Sequence, residues 1–463
     1  MSNIDYDVVV VGAGPGGTLL TLKLAKEGYS VALVERKPKE IIGHKVCGDG
    51  ISEKHFDIVG IEKPHGKEVG SRIVASDIIA PDREGYIRVY GKGYTIDRLQ
   101  FGQRLMKQAE KYGAHILHST IALNPIVKEN KVYGVKVRSL ETKEVKEIKA
   151  RITVDASGSA AVLRNKLPEG MLLEKTLEKF DIAAAYREIV GFNSEPEWDD
   201  DKIYIYLNHR YAPGGYSWIF PKGKMVANIG VGVQPTKEKT ANAQKLTYEF
   251  MEFWGVKPNK VYDAGGGMIP VRHALSQLVA DGFALVGDAG SQANPLHGGG
   301  IGQAMYGGFL AYKTLTNLLD SGSDIITKEQ MWSYPVEYMR TDGAKNASLE
   351  MIRLFLQGVS NEELNYIIHS GIVSGEELSV LEGQPKEGIG VLKKVVGMVK
   401  MLKRPRLLNR LRILNNYYKG IYELFISYPE DPKELLKWHE KVKDLVQRAR
   451  KDLWRNPYEF AGL

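Results

Sequence analysis

Gly12-Ala-Gly14-Pro15-Gly16-Gly17, with Glu35 placed 23 residues after Gly12, is the first set of residues whose types and spacing suit chemistry. Glycines between a strand and a helix let backbone N–H groups approach a pyrophosphate at the helix N-terminus. An acid at the end of the next strand then accepts the ribose hydroxyls of an adenosine half, so Glu35 completes a dinucleotide fingerprint. The second set is His44-Lys-Val-Cys-Gly-Asp-Gly-Ile-Ser52, which holds the only cysteine of the chain. Two roles fit Cys47: a small buried hydrophobe in a glycine turn, or a proton donor beside a cofactor. The third is Pro213-Gly-Gly-Tyr216-Ser-Trp218-Ile-Phe220-Pro221, in which period two places Tyr216, Trp218 and Phe220 on one side of a strand. Such a stripe forms either a sheet core or the wall of an apolar pocket. The fourth is Gly287-Asp288, followed by Gly298-Gly-Gly300-Ile301-Gly302 ahead of a helical pattern.

The elements that must position these groups follow from periodicity. A β-branched run over 6–11, a helix after Gly17 and a strand over 30–34 make a βαβ start. Short strands are expected around Ile79 and over 86–90, an amphipathic helix over 98–112, and strands near 114–117, 131–138 and 151–154. The middle third is strand-like over 182–187, 202–208, 216–220 and 225–233, which predicts an antiparallel sheet with one covered face. A buried strand at 283–286 and a glycine turn into a helix return the chain to α/β character, and beyond about 345 it reads as helical. The expected fold class is mixed α/β: a Rossmann-type cofactor domain (1–65, 95–165 and 273–345) interrupted by a substrate sheet domain (66–94 and 166–272), with a helical C-terminal domain (346–463). Gly265-Gly-Gly267 lacks a following helix of the right kind and is expected to form a bend beside the pocket.

Bulk properties narrow the function classes. At 463 residues, 43% hydrophobic and 26% charged, the chain is a folded protein of two or three domains. A single cysteine forms no internal disulfide, and the chain runs straight into a strand without a basic-then-apolar leader, so a cytoplasmic location is expected. No apolar run approaches the roughly 18 residues of a membrane span.

The motif at Leu285-Val-Gly-Asp288, Pro295 and Gly298–Gly302 resembles the flavin-side motif of the p-hydroxybenzoate-hydroxylase-like flavoproteins, and Asp155-Ala-Ser-Gly158 with Arg164 resembles their middle motif. That resemblance implies FAD, with Asp288 at the ribitol and the helix start at Gly300 and Ile301 facing the flavin ring. A dipole aimed there favours an anionic reduced flavin. The cofactor set is completed by Gly12, Gly14, Pro15, Gly17, Glu35, Arg36, Cys47, Gly48, Gly50, Arg98 and Ala122. The string Pro-x-x-Tyr-x-Trp-x-Phe-Pro is similar to the signature of archaeal-type geranylgeranyl reductases, as is Val46-Cys-Gly-Asp-Gly50. Membership implies reduction of isolated C=C bonds in prenyl chains of ether-lipid precursors, by hydride from flavin N5 and protonation of the other carbon. It implies a substrate wall of Tyr216, Trp218 and Phe220 with His297. His297 and His44 are alternative acids to Cys47.

No second dinucleotide fingerprint is present, so the electron donor, reduced ferredoxin, NAD(P)H or another, is expected to reach the flavin directly. Net charge is +7, and Lys393 to Lys419 carries nine Lys or Arg and no acid, interleaved with Val395, Val396, Met398, Met401, Leu402, Leu407, Leu408, Leu411, Ile413 and Leu414. That mixture suits a peripheral contact with anionic lipid, or a solvated helical face packed on the cofactor domain. No nucleic-acid module is recognised, and nucleic acid is not expected as a partner. Two other classes stay open: a flavin monooxygenase or halogenase, the latter with a Trp-x-Trp-x-Ile-Pro strand, and a non-catalytic flavin-containing lipid binder.

Overall fold

The computed structural model describes residues 4–462 apart from 238, 321–324, 384 and 402–403, and only the backbone of 382, 385 and 399–401. The chain begins with β1 (Tyr6–Val11), α1 (Pro15–Lys26) and β2 (Val31–Val34). β2 is buried throughout and β1 over its last four residues, as strands covered on both faces require. β3 (Gly50–Ser52), α2 (Lys54–Val59) and the long hairpin of β4 (Val69–Ile79) and β5 (Tyr86–Ile96) follow. α3 (Arg98–Lys111) starts at Asp97, whose side chain accepts the Gln100 N–H. β6 (His115–Leu117), the hairpin of β7 (Thr120–Lys128) and β8 (Lys131–Ser139), and β9 (Val145–Asp155) complete this part. Next come β10 (Ile182–Gly191), β11 (Lys202–Tyr206), β12 (Tyr216–Pro221), β13 (Val226–Val233), α4 (Ala243–Trp254) and β14 (Lys260–Pro270). β15 (Val279–Ala280), β16 (Phe283–Leu285) and α5 (Ile301–Leu319) lead into the C-terminal helices: α6 (Ser333–Tyr338), α7 (Ala344–Gln357), α8 (Asn361–His369), α9 (Gly375–Gly383), α10 (Pro385–Met401), α11 (Pro405–Ile426), α12 (Leu435–Leu453) and α13 (Pro457–Ala461).

Two sheets organise these elements. The first has the order β15-β16-β9-β1-β2-β6, with the β7–β8 hairpin joined through β8 to β9. Its β6, β2, β1, β9 and β16 run parallel, so the loops after β1, β2, β9 and β16 gather Gly12, Glu35, Asp155 and Asp288 at one edge. Ligands of open parallel sheets bind at such an edge. The second sheet has the order β14-β10-β13-β12-β11-β4-β5-β3. Its strands pair antiparallel except that β11 runs parallel to β4, so the expected wholly antiparallel sheet is corrected to a mixed one. More than a hundred residues, including α3 and the first sheet's last long strand, separate β4 from β11, and a long crossover permits a parallel pair. β3, inside the segment expected to belong with the cofactor, pairs with β5 in this second sheet.

Two further differences have local causes. β7 has no counterpart among the expected strands because its half-buried residues and Pro125 obscure the alternation. Gly265-Gly-Gly267 forms no bend: the three glycines pair in register with Arg187, Tyr186 and Ala185 inside β14, and the irregularity of that pair falls between Ile189 and Val190. Pro385 and Pro405 open α10 and α11, where proline's missing N–H costs nothing. Among the described residues no helix is long and apolar enough to cross a membrane.

Candidate functional site

The dinucleotide loop is shaped by close backbone approach. Gly12 has φ +108°, and a Cβ there would stand 2.5 Å from the carbonyl oxygen of Ala156. A Cβ on Gly16 would stand 2.5 Å from the carbonyl of Ala304, so α1 and α5 touch backbone to backbone. Gly14 differs: a Cβ there would meet nothing nearer than 4.0 Å, leaving an open cradle at the start of α1. Neither α1, capped by Gly14, nor α5, capped by Gly300, has a side-chain cap or an acid in its first turn. Free N–H groups, a positive dipole end and an open cradle fit a pyrophosphate at α1 and an anionic ring edge at α5, so these residues fit FAD. The Glu35 carboxylate accepts the Ala13 N–H at 2.9 Å and the Lys37 N–H at 3.0 Å, which ties the loop after β2 to the glycine loop. Arg36 is exposed beside it, and Ala122 lies half-buried in β7, two residues beyond Thr120, whose N–H binds the Glu35 carbonyl.

Asp155 is structural in this constellation. Its two carboxylate oxygens accept the N–H groups of Ser157, Leu163 and Arg164. Arg164 then donates to the Ala289 carbonyl at 2.5 Å, clamping the loop after β9 to the loop after β16. Asp288 remains at the mouth with Lys45 at 3.4 Å, and a Cβ on Gly300 would stand 3.3 Å from its Oδ1.

The loop of Cys47 bridges the two sheets. The thiol donates to Asp49 Oδ1 at 2.9 Å, and Arg98 Nη1 donates to the sulfur at 2.9 Å. Burial pushes the thiol pKa up and the Asp49 charge adds to this, while Arg98 opposes both. The Cys47 carbonyl accepts Asn228 Nδ2 at 2.7 Å and Arg187 Nε at 3.3 Å. Arg187 also donates to Asp263 at 2.7 Å, and His44 Nε2 meets the same oxygen at 2.9 Å. Burial opposes ionisation of Asp263, but Arg187 and His44 hold its carboxyl below the ordinary range. His44 is thereby tied into a hydrogen-bonded chain with Asp263 and Arg187 rather than bonded to the Cys47 thiol.

The aromatic residues of β12 lie under this loop. Trp218 and Phe220 are buried, with ring centroids 6.1 Å apart, and Tyr216 is 5.8 Å from Trp218. Trp218 and Tyr216 stand opposite Gly230 and Gly232 of β13, which leave room for large rings. A Cβ on Gly48 would stand 3.0 Å from the Phe220 ring, and one on Gly50 3.6 Å from it, so the Cys47 loop rests on that ring. Tyr216 OH donates to the His297 carbonyl at 2.6 Å, joining β12 to the turn before α5. His297 Nδ1 accepts the Gly299 N–H at 3.0 Å, so its ring shapes that turn.

Sequence reasoning missed Lys222 and Asn228. Lys222 Nζ donates to Asp49 Oδ2 at 3.0 Å and to the Ile96 carbonyl at 2.6 Å. Asn228 joins Trp218, Asp49 and Cys47. Each had a signal: Lys222 continues the period of Tyr216, Trp218 and Phe220, and Asn228 is a lone amide in an apolar strand.

The chain as a whole is similar to known proteins. Residues 181–269 match the family described as geranylgeranyl reductase catalytic domain, and residues 7–165 match FAD dependent oxidoreductase. A digeranylgeranylglycerophospholipid reductase of Sulfolobus acidocaldarius is 31% identical over 455 residues, covering 98% of this chain and 100% of its own. A digeranylgeranylglycerophospholipid reductase 2 of Methanopyrus kandleri is 30% identical over 401 residues, 85% of this chain and 96% of its own. Among solved structures, a geranylgeranyl bacteriochlorophyll reductase-like protein of Thermoplasma acidophilum superposes with TM-score 0.74 at 24% identity, covering 88% of this chain and 99% of its own. A myxobacterial chondrochloren halogenase superposes with TM-score 0.64 at 15% identity, covering 82% and 91%, a likeness of fold alone.

Proposed function

We propose, for a chain that belongs to the digeranylgeranylglycerophospholipid reductase family, that it reduces the isolated C=C bonds of geranylgeranyl chains on archaeal-type ether-lipid precursors, with FAD as redox cofactor. The observation that supports this reading is the seating of Gly48 on Phe220, with Asn228 joining the Cys47 carbonyl to Trp218, while Lys45 of the same loop reaches Asp288.

In this reading Gly12, Gly14, Pro15 and Gly17 hold the pyrophosphate, and Glu35 with Arg36 and Ala122 the adenosine end. Asp288 holds the ribitol, Gly300 and Ile301 face the pyrimidine edge, and Cys47, Gly48, Gly50 and Arg98 flank the ring. What FAD supplies when bound and reduced is a hydride for one alkene carbon. Tyr216, Trp218 and Phe220, with His297 at their edge, bind the prenyl chain by apolar contact, since an alkene chain offers no polar handle. They also exclude water around the Cys47 thiol, which gives its proton to the second alkene carbon. The raised thiol pKa keeps that proton in place at neutral pH. The segments 1–65, 95–165 and 273–345 act as the cofactor domain, 66–94 and 166–272 as the substrate domain, and 346–463 as a helical cover.

The reductant in this reading is reduced ferredoxin or NAD(P)H acting at the flavin without a domain of its own. The membrane contact is peripheral and runs through α10 and α11. Val395, Leu407, Leu408, Leu411 and Leu414 are buried, whereas Lys393, Lys394, Arg404, Arg406, Arg412 and Lys419 are exposed, which favours an electrostatic contact. Leu402 and Lys403 lie outside the described residues.

The test is a mass spectrum of prenyl lipids after anaerobic incubation with dithionite-reduced protein. A gain of two hydrogens per double bond is expected, and no gain with any prenyl lipid overturns the proposal. Turnover that needs oxygen and yields a hydroxylated or halogenated product would mark a monooxygenase or halogenase instead.

A further inference from the structure

Reducing one C=C bond consumes one hydride and one proton, and a thiol that has given its proton must be reprotonated before the next bond. Cys47 is poorly placed to take a proton from bulk water: it is half-buried, Arg98 covers its sulfur, and its loop lies on Phe220. One side of the thiol opens onto a continuous line of titratable groups. Cys47 Sγ is 2.9 Å from Asp49 Oδ1, and Lys222 Nζ is 3.0 Å from Asp49 Oδ2. The Asp49 side chain is 3% exposed and that of Lys222 11%, so Lys222 links the buried carboxylate to solvent on the side away from the sulfur. Asn228 fixes the Asp49 carboxylate at 3.1 Å, and the Ile96 carbonyl fixes the ammonium at 2.6 Å.

We propose that Asp49 and Lys222 return the proton that Cys47 gives up, Lys222 to Asp49 and Asp49 to the sulfur. The inference rests on the reading of Cys47 as the proton donor. In the step, the S–H bond breaks and a C–H bond forms on the alkene, while the hydride half of the reduction belongs to the reduced cofactor. The thiolate left behind faces the Arg98 guanidinium. The sulfur then takes a proton from the Asp49 carboxyl, which has received it from the Lys222 ammonium, and water reprotonates Lys222. Atoms and charge balance, and the oxidation state of sulfur does not change.

The charged groups around the thiol come from four elements: Asp49 on its own loop, Arg98 at the start of α3, Lys222 at the end of β12, and Arg187 on β10. Arg187 reaches the loop's carbonyl and leads on to Asp263 and His44. Arg98 and Arg187 are guanidinium groups, which do not release protons in a protein. His44 and Asp263 stand on the carbonyl side of the loop. Asp49 and Lys222 are therefore the only titratable pair in hydrogen-bond sequence with the sulfur among the described residues.

Cys47 is the only thiol in the chain, so the rate of its alkylation by iodoacetamide reports on it alone. In FAD-loaded and FAD-free protein at neutral pH, Asp49→Asn, which suits the left-handed backbone at φ +65°, should be alkylated on the order of tenfold faster because a charge that raises the thiol is gone. Lys222→Met unmasks the Asp49 charge and should be alkylated more slowly than the native protein. Lys222→Arg keeps the charge without a proton to release. It should be alkylated at the native rate, yet turn over at least about tenfold more slowly, with a larger solvent deuterium effect on kcat. Native turnover and an unchanged deuterium effect in Lys222→Arg, with Cys47→Ala inactive, would overturn the relay and leave Cys47 as donor. Native turnover in Cys47→Ala would overturn both.

Discussion

The indole Nε1 of Trp218 donates to Asn228 Oδ1 at 3.0 Å. The amide nitrogen of Asn228 in turn holds the Cys47 carbonyl at 2.7 Å and Asp49 at 3.1 Å, so one buried side chain fixes the aromatic strand against the cysteine loop. Asn228→Leu leaves the indole N–H unpaired in the interior, at about 1–3 kcal/mol, and the Cys47 carbonyl with only its longer bond from Arg187. Its urea midpoint should fall without a change in m, and prenyl reduction should fall further than stability alone explains. Trp218→Phe removes the donor and part of the ring but keeps the bonds from Asn228 to Cys47 and Asp49, and should lose less prenyl-reducing activity than Asn228→Leu. Equal urea midpoints for native protein and Asn228→Leu would contradict this account.

Gly12 and Gly14 separate folding from cofactor binding. Gly12→Ala combines φ +108° with a Cβ only 2.5 Å from the Ala156 carbonyl, and should lose about 1–3 kcal/mol of stability with FAD absent. Gly14→Ala has φ −71° and open space, so FAD-free protein should melt close to the native temperature. The added methyl occupies the cradle, and FAD affinity should fall at least tenfold, or about 1.4 kcal/mol. Thermal melts of FAD-stripped protein and a flavin-fluorescence titration measure the two effects. Native FAD affinity in Gly14→Ala would place the pyrophosphate elsewhere.

These two cases also show what was legible in the residues. Backbone-approach motifs are local, so the glycine turn, Glu35 and the turn at Asp288 could be read from spacing, and the face shared by Tyr216, Trp218 and Phe220 from period two. What could not be read depends on contacts between distant segments. Lys222 continues the same period, yet a lysine after Pro221 reads as a solvated strand end until β5 and the Cys47 loop are seen to cover it. Glu35 was identified by place, but its grip on the Ala13 and Lys37 N–H groups was not. The parallel pairing of β4 with β11 needed topology, which no local pattern carries.

Acid should destabilise the protein in two stages. His209 is buried, its Nδ1 accepting the Gly214 N–H and its Nε2 at 2.9 Å from the Val359 carbonyl, and burial pushes its pKa down to about 4. Burial and the Lys345 charge bring His55 to about 4 as well. From about pH 6.5 the unfolded chain binds protons at both histidines that the folded chain does not bind until about pH 4, so stability falls across that window. Below 4.5 a second stage begins. Burial opposes ionisation of Glu174, but Arg272 and His273 hold it down to about 2; Glu350, buried against His273 and Arg353, is lowered too. Both carboxylates stabilise the fold above their unfolded range, and that contribution is lost as pH falls toward their folded values. His209→Gln should cost stability at neutral pH and flatten the first stage. Urea midpoints measured across about pH 7 to 4 check this, and an unaltered slope would count against it.

The last expectation concerns α10 and α11, where described apolar residues such as Val395, Leu407, Leu411 and Leu414 are buried and most of the described basic residues, Arg410 excepted, are exposed. Leu407, Leu411 and Leu414 belong to the core, and Arg410 is held by Glu363 and the Leu453 carbonyl. Arg404 lies over the Tyr366 ring, 4.3 Å from its centroid. Lys393, Arg406 and Arg412 remain exposed. Most of the apolar residues described in these two helices are at least partly buried, so binding to a lipid surface is expected to be electrostatic and screened by salt, over a Debye length of about 10 Å at 0.1 M and about 3 Å at 1 M. The protein should therefore sediment with phosphatidylglycerol vesicles at low ionic strength, release near 0.5–1 M salt, and ignore neutral phosphatidylcholine vesicles. Replacing Lys393, Arg406 and Arg412 together by Glu should abolish the binding while turnover of detergent-dispersed substrate is retained, because none of the three approaches the Cys47 loop. Vesicle binding that survives high salt would show instead that apolar side chains enter the bilayer, and would require the α10–α11 packing seen here to open.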